Sequence, residues 1–468
     1  MTQTSSAPAT GARPATSTAT GSIRIRLRAP SRLRNIELVL LIFACALNAV
    51  AILLVQLGAN GAIDWSLATL GFGLSILVFA MHIALRIVAT NADPFILPIA
   101  TVLNGLGIAM IYRLDLGDGV SGWSSAGIRQ IAWTAIAMTL AIIVIAVLRN
   151  HRVLQKYRFT AMFLGAALLI LPALPFFKPV NGAHIWIQIG PLSFQPAEVG
   201  KIALAVFFAG YLVTARDSLS MVGRRFLWMT FPRARDLGPI LVVFFASMVV
   251  LVWQRDLGTS LLYFGLFLVM LYVATGRASW IVLGVGLFVS GALIASQVLG
   301  YVGRRFDTWL DAFNQDNYEA SGGSFQLLQG MFGLANGGLI GTGLGQGRPG
   351  IVPLAESDYI IASLGEELGL IGLFAILSLY LLLVSRGFRI GFAGQDDFGR
   401  LLAVGLAFVI GLQVFIVIGG VTRVIPLTGL TTPFLAAGGS SLVANWIIVA
   451  LLLRLSDTVR TEPRAVIE

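Results

Sequence analysis

The sequence predicts an all-α polytopic membrane protein with about twelve spanning helices. Of its 468 residues, 57% are hydrophobic and only 12% are charged, whereas a typical soluble domain carries about 25% charge. So few charges could not cover the surfaces of two or three soluble domains. Lipid must therefore be the solvent for most of the chain.

Apolar runs place the helices, because a spanning helix needs about 20 predominantly apolar residues. The predicted spans are 36–57, 66–89, 94–113, 129–148, 158–177, 197–215, 237–253, 257–275, 280–300, 358–385, 401–419 and 433–454. Only Gln254, Arg255 and Asp256 separate the seventh span from the eighth. These polar residues favour a tight turn over one long helix.

The first 35 residues predict a disordered, basic cytoplasmic tail. Thr, Ser, Ala and Pro dominate up to Ser22, and five arginines follow between Arg24 and Arg34. The apolar run after them is too long for a signal peptide and lacks a small-residue cleavage site. The tail is expected to stay attached.

The net charge of +10 is best explained by orientation in the membrane and not by nucleic-acid binding. With the N-terminus inside, the cations fall mostly in inner loops, as the positive-inside rule requires. An even number of spans places the C-terminal tail, 456–468, in the cytoplasm as well. The inner-loop cations are Arg149, Arg152, Lys156, Arg158, Arg216, Arg224, Arg225, Arg233, Arg235, Arg386, Arg389 and Arg400.

Residues 301–357 form a large loop outside the membrane in this topology, because none of their runs is apolar enough to span. A stretch of this length without secondary structure is usually functional in a compact protein. Its charged residues precede a glycine-rich part and are Arg304, Arg305, Asp307, Asp311, Asp316 and Glu319. A single acidic residue in such a loop could equally be only solvated.

Two carboxylate sites fall within or at the end of predicted spans. Glu198 and Lys201 are three residues apart and share a helix face; they form either an interfacial pair that reaches water or a polar wall inside the bundle. Glu366 and Glu367 lie deeper and have no cation nearby in sequence. They should face a polar cavity, pair with a base on another helix or be protonated.

Several other chemistries are disfavoured. The glycines at 345, 347 and 350 match a nucleotide-binding pattern, but no strand precedes them and Pro349 interrupts them. They are expected to let the backbone approach the membrane surface or a substrate. Three scattered histidines and a single cysteine, Cys45, predict neither a cysteine-based metal site nor an intrachain disulfide.

Six segments, taken in order and spacing, carry a resemblance to a known family. They are Asn181-Gly-Ala, 193–201, 256–260, 352–361, 365–372 and 433–441. Together they resemble the SEDS family (shape, elongation, division and sporulation) of bacterial peptidoglycan polymerases, over about residues 94–455. The N-terminal extension and the 421–433 segment are most similar to the elongation-type members, the RodA type; the division type is the alternative.

The resemblance implies a ten-helix body at 94–455, preceded by two additional helices at 36–93. It implies polymerisation of lipid II during cell elongation, shape maintenance and division, at the bacterial plasma membrane. Undecaprenyl-diphosphate-linked glycan is the donor, a class B penicillin-binding protein is the cross-linking partner, and no nucleic acid takes part. The alternatives are a lipid II flippase or a non-catalytic scaffold.

The resemblance also implies site residues. Asp316 matches the family's essential Asp and is the expected catalytic base, but Asn317 replaces the usual proline and the spacer is longer. Asp311 and Glu319 therefore remain alternatives. The expected substrate and cavity residues are Glu198, Lys201, Asp256, Arg304, Arg305, Asp358, Glu366, Glu367 and Ser441, and Mg²⁺ or Mn²⁺ could assist.

Overall fold

The computed structural model describes residues 30–120, 122–174, 177, 184–189, 192–219, 225–226, 229–230, 237–320 and 322–461. Within them, ten helices are long and apolar enough to cross a membrane, and two further apolar helices are shorter. The predicted motif at Asn181 and the tails at 1–29 and 462–468 lie outside the described residues.

Each of the twelve predicted spans contains one apolar helix. The first six are α1 (Pro30–Asn60), α2 (Trp65–Val88), α3 (Ile96–Gly117), α4 (Ala126–Val147), α6 (Arg158–Ile170) and α7 (Pro196–Leu219), with a short α5 (Arg152–Lys156) between α4 and α6. The next three are α8 (Gly238–Gln254), α9 (Leu257–Thr275) and α10 (Ser279–Val298). After α11–α13, the last three are α14 (Ile360–Ala393), α15 (Asp397–Val421) and α16 (Gly439–Thr461).

The segment expected to be a structureless loop is largely helical, which corrects that prediction. It folds into α11 (Gly300–Leu310), α12 (Gln315–Glu319) and α13 (Phe325–Gly337). These helices are too short or too polar to span, so a search for long apolar runs does not find them. Two small antiparallel hairpins complete the described structure: β1 (Ile187–Ile189) with β2 (Leu192–Phe194), and β3 (Arg225–Phe226) with β4 (Met229–Thr230).

Several predicted boundaries differ from the structure; α14, for example, continues to Ala393, beyond the predicted end at 385. Helix α1 begins at Pro30, so residues 30–35 belong to a helix and not to a disordered tail; proline suits a first helical turn because its missing N–H would be unpaired there. Helix α6 ends at Ile170, ahead of Pro172, which cannot continue the hydrogen-bond ladder. Helix α16 begins at Gly439, six residues after the predicted start at 433.

The turn between α8 and α9 is as tight as predicted. Arg255 adopts a left-handed conformation with φ 59°, and Asp256 caps α9 by accepting a hydrogen bond from the Thr259 N–H at 2.9 Å. A capping carboxylate satisfies a backbone donor that the helix leaves unpaired. Two separate helices result.

The helices differ in how deeply they lie in the bundle. In α3 and α16, 78% of the apolar stretch is buried inside the protein, against 11% in α10 and 22% in α1 and α2. The peripheral helices expose large apolar side chains such as Phe72 and Ile87. Such surfaces suit lipid and would be unusual in water.

A buried ionic cluster joins the two additional helices. Glu37 on α1 accepts from Arg34 at 2.7 Å and contacts Nδ1 of His82 on α2 at 2.6 Å. Arg34 also donates to the carbonyl of Ala92, just before α3. All three charged or ionisable side chains are almost fully buried. One carboxylate thus ties α1 to α2, and the arginine ties both to the ten-helix body.

We expect Glu37→Leu to destabilise the protein by about 3–5 kcal/mol, because it leaves Arg34 and His82 buried without their shared partner. Thermal unfolding of the purified protein in detergent measures the change. Arg86→Ala is the matched control: Arg86 is exposed and bonds only the Asn35 side chain between the same helices, so its loss should cost at most about 1 kcal/mol. Equal midpoints for the two variants would contradict this assignment.

Candidate active site

A cavity of about 730 Å³ opens at the end of the bundle where α11, α12 and α13 lie. Its walls come from those three helices, the segment before α14 and the loop between α15 and α16. The polar and aromatic side chains that line it are Arg305, Thr308, Trp309, Tyr318, Glu319, Phe325, Gln326, Asp358 and Tyr359. Both charge signs therefore face one space of the size that small-molecule sites usually have.

Helix α11 is fastened to the loop between α15 and α16 by side chain to backbone hydrogen bonds. Arg305 donates to the carbonyls of Leu427 and Thr428 at 3.1 and 2.8 Å. Trp309 donates to the carbonyl of Arg423 at 3.1 Å, and Arg423 donates back to the carbonyl of Trp309 at 2.6 Å. These bonds hold a cationic wall of the cavity against a loop more than 110 residues away in sequence.

Asp358 lies two residues before α14, at the side of the same loop. A side chain at Gly429 would bring its Cβ within 3.5 Å of the Asp358 carboxylate, and Gly429 has φ +78°, which favours glycine. Burial raises the pKa of Asp358 to about 6, against the opposing effect of Arg305. Asp358 is therefore poised to exchange a proton near neutral pH.

The expected base lies beside the cavity. Asp316 is exposed, in the first turn of α12, and does not line the cavity. Its alternative Glu319 does line it, three residues further along the same helix. Asp311 is exposed and accepts from the Asn314 side chain at 3.1 Å. Arg304 is exposed as well. Its neighbour Arg305 lines the cavity from α11, and Arg304 does not.

Glu198, Lys201 and Ser441 belong to a buried polar network inside the bundle. Lys201 donates to Glu198 at 2.6 Å, to Gln413 at 2.9 Å and to Asn445 at 3.3 Å. Asn445 donates in turn to Ser441 at 3.2 Å. The pair is buried at 4% and 1% exposure, which argues against an interfacial pair that reaches water. All three ammonium donors of Lys201 have partners, and the prediction that the pair forms a polar cavity wall that meets the substrate stays a prediction.

Helix α14 is broken beside the glycine-rich segment 341–347. Gly369 has φ 68° and ψ −174°, a conformation that is essentially confined to glycine. The N–H groups of Thr342 and Gly343 donate to the carbonyls of Glu366 and Glu367 at 3.0 Å each. Carbonyls freed by the break are thus paired within the protein, as an apolar environment demands.

The two glutamate side chains hold the same segment. Glu367 pairs with Arg113 on α3 at 3.0 Å and accepts from the Gly345 N–H at 2.8 Å. Glu366 accepts from the Arg348 N–H at 2.9 Å. The prediction of a base on another helix is confirmed for Glu367. Gly345 and Gly347 are buried against other parts of the protein, whereas Gly350 is exposed; the approach of this segment to the membrane surface or a substrate stays a prediction.

The additional helix α1 supports the glycine segment from the other side. A Cβ on Gly58 would lie 2.4 Å from the carbonyl of Leu344, and a Cβ on Gly345 would lie 2.8 Å from that of Val55. Backbone meets backbone here, and any side chain would force the two apart. The N-terminal extension therefore contacts a segment that is anchored to the core of the body.

The described residues do not offer a protein-only site for a divalent cation. No group of three or more His, Cys, Asp and Glu side chains among them is placed to hold a metal ion. Mg²⁺ is commonly bound by one or two carboxylates together with substrate phosphates. A single cavity carboxylate such as Asp358 or Glu319 would not suffice alone.

Sequence reasoning missed Arg113, Gln413 and Asn445. Each lies in a buried apolar helix, and a polar or ionisable residue there signals a specific partner. That signal was present at all three positions. The cavity walls at Trp309, Tyr318 and Leu427 carried no comparable signal, because they meet only after folding.

The fold and site together define a polytopic membrane protein whose helical bundle carries a charged cavity at one end. The sequence model of the FtsW/RodA/SpoVE family, described as cell cycle protein, matches residues 94–461. The chain belongs to this family. The match begins after α2, so the two additional helices lie outside the family body.

Relatives agree with this assignment. The chain is 44% identical to the peptidoglycan glycosyltransferase RodA of Mycobacterium tuberculosis, over 93% of each chain. It is 33% identical to a probable peptidoglycan glycosyltransferase FtsW of Geobacter sp., over 79% of this chain and 97% of the relative. The mycobacterial match thus extends into the N-terminal helices, and the elongation-type resemblance is supported over the division-type one.

A solved structure shares the fold. It is described as a peptidoglycan synthase complex that coordinates polymerization and crosslinking, and one of its chains superposes with a TM-score of 0.52 at 26% identity. The match covers 86% of this chain and 99% of that chain. Almost the whole of that chain therefore has a counterpart here.

We expect Lys201→Met to destabilise the protein by about 3–5 kcal/mol, because Glu198 would stay buried without its cation. The double variant Glu198→Leu/Lys201→Met should recover part of the loss, since replacing a whole buried pair by apolar groups is often tolerated. Thermal unfolding in detergent measures both. A single variant as stable as the parent would show that the network does not hold these helices together.

Proposed function

We propose that this protein is a peptidoglycan glycosyltransferase that lengthens glycan strands on lipid II during cell elongation. The observation that carries the proposal is the charged cavity at the end of a lipid-embedded bundle, in a chain that is 44% identical to a peptidoglycan glycosyltransferase. A polar cavity is suited to bind the sugars and the diphosphate of the lipid-linked substrates. The polyprenyl tails remain among the helices and the lipid.

The proposed topology places both termini in the cytoplasm and the cavity outside the plasma membrane. The asymmetric distribution of Arg and Lys supports it. Arg152 on α5 and Arg216 on α7 form ion pairs with Asp396 and Asp397, respectively, at the opposite end of the bundle from Arg305. Lipid II would then be polymerised on the outer side of the plasma membrane, where the cell wall is built.

In the proposed reaction, the acceptor lipid II offers its GlcNAc 4-hydroxyl to the anomeric carbon of the donor MurNAc. Asp316 removes the hydroxyl proton as general base, a role suggested by the family resemblance. Glu319, three residues along α12, shares a helix side with Asp316 and lines the cavity. The anomeric centre inverts and undecaprenyl diphosphate leaves, with its charge near Arg305.

The proposed partners are the lipid-linked substrates and a class B penicillin-binding protein. The related solved structure, a complex for polymerization and crosslinking, supports a cross-linking partner. Mg²⁺ or Mn²⁺ remains a proposal as well. Because the described carboxylates do not cluster, such an ion would have to be held mainly by substrate phosphates.

The flippase alternative would use charged groups inside the bundle to carry a polar head group. Glu198 and Lys201 are bonded to each other, and Glu367 is bonded to Arg113. Neither pair has a free partner to offer a passing substrate without first breaking. These contacts favour the transferase.

We expect Asp316→Ala to reduce polymerisation of labelled lipid II by about 10²–10⁴-fold, the usual contribution of a general base. The assay uses the full chain co-purified with its transpeptidase partner, and glycan products are separated on gels. Asp307→Ala serves as the matched control and should leave the rate nearly unchanged, because Asp307 is an exposed carboxylate on α11 that does not line the cavity and is not one of the three candidate bases.

Other results would reassign the base or the function. If Asp316→Ala polymerises as well as the parent while Glu319→Ala does not, the base is Glu319. If the parent makes no glycan but moves lipid II across vesicle membranes, the protein is a flippase.

A further inference from the structure

The cavity presents two carboxylates in contrasting surroundings. Glu319 is exposed on α12, while Asp358, which lines the same cavity, is partly buried. Two carboxyl groups in contrasting environments are how one site can supply both a base and an acid. An exposed carboxylate on α12 is suited to act as a base, and the partly buried carboxyl group of Asp358 is suited to act as an acid.

The charged groups around Asp358 come from several elements. Arg305 on α11 favours its ionised form, whereas Asp256 at the start of α9 and Glu356 in its own segment oppose ionisation. Glu319 lines the same cavity as Asp358. Burial dominates this balance and sets the pKa of Asp358 at about 6. An arriving diphosphate adds negative charge beside the carboxyl and raises that pKa further.

Arg305 is arranged to receive an anion at the same wall. Its guanidinium is held by the carbonyls of Leu427 and Thr428, and the carboxylates of Asp358 and Asp256 are close enough to feel its charge. The same loop reaches Asp358 through Gly429. One loop thus places a cation and a protonatable carboxyl side by side.

We propose that Asp358 is the general acid of the glycosyl transfer and donates its proton to the leaving diphosphate. This role rests on the proposed function. The bond between the donor's anomeric carbon and the diphosphate oxygen breaks as the bond to the acceptor oxygen forms. The hydroxyl proton passes to the base on α12, the Asp358 proton passes to the departing diphosphate, and the two carboxyls exchange protons with water before the next turnover.

The test compares Asp358→Asn with Asp358→Ala in the lipid II polymerisation assay, using the full chain with its transpeptidase partner. The alanine variant should lose about 10²–10⁴-fold in kcat. The asparagine variant should lose a similar factor, because its amide can donate a hydrogen bond but has no proton to transfer to the diphosphate. Asp307→Asn is the matched control and should keep the parental rate: Asp307 is exposed on α11, does not line the cavity and is not among the charged groups that shift the pKa of Asp358.

The pH profile separates an acid from a merely structural residue. In the parent, kcat should fall as pH rises through the pKa of Asp358 in the substrate complex, because the protonated form of Asp358 is the active one. The pKa of Asp358 in this complex lies above its pKa in the free protein. The asparagine variant should lose this falling limb, since an amide does not titrate. Thermal unfolding confirms that each variant is folded.

Three results would overturn the acid role. They are parental activity in Asp358→Ala, parental activity in Asp358→Asn, and a falling limb that persists in Asp358→Asn. The second result would indicate that Asp358 only donates a hydrogen bond to the diphosphate and transfers no proton. A parent that does not polymerise lipid II overturns the proposed function itself, and the acid role with it.

Discussion

Charged side chains inside a lipid-embedded bundle find no water, so each must be paired within the protein. Three buried ionic groups meet this constraint here: Glu37 with Arg34 and His82, Glu198 with Lys201, and Glu367 with Arg113. The first joins α1 to α2 and the third joins α14 to α3, while the Glu198–Lys201 pair lies within α7 and reaches α15 and α16 through Gln413 and Asn445. Since packing between apolar helices in lipid gains little from the hydrophobic effect, these pairs specify which helices are neighbours.

The same constraint explains how the site is supported. The break in α14 at Gly369 frees carbonyls, and the glycine-rich segment 341–347 pairs with them while its own backbone is held by Glu366 and Glu367. Helix α1 closes over that segment. The additional N-terminal helices therefore support the segment that connects α13 to α14, and both of these helices reach the cavity. The family match nevertheless begins after the additional helices.

Function follows from the contrast between the bundle and its cavity end. Inside the bundle, the charges are satisfied by each other and unavailable to a ligand. At the cavity, Arg305 is held by two carbonyls, and Asp358 is partly buried with Arg305 and Ser357 as its favourable neighbours. Within the described residues, this end combines charge for a diphosphate with carboxylates that can take a proton from a hydroxyl. A glycosyl transfer between lipid-linked sugars needs both, next to the lipid that holds the tails.

The sequence by itself determined the class, the twelve apolar helices and the family, because span length, charge scarcity and ordered motifs are local properties of the chain. It also indicated that Glu366 and Glu367 need a partner, since an unpaired carboxylate in lipid is too costly. Only the tertiary structure decided that the partner of Glu367 is Arg113, that Lys201 is saturated, and that residues 300–337 are helical. It also brought Arg305, Asp358 and the loop at 427–429 together. Those contacts join residues roughly 50 to 250 positions apart in the sequence. Bringing such residues together costs chain entropy, and only the packing of the complete bundle offsets that cost. A local sequence pattern does not contain this information.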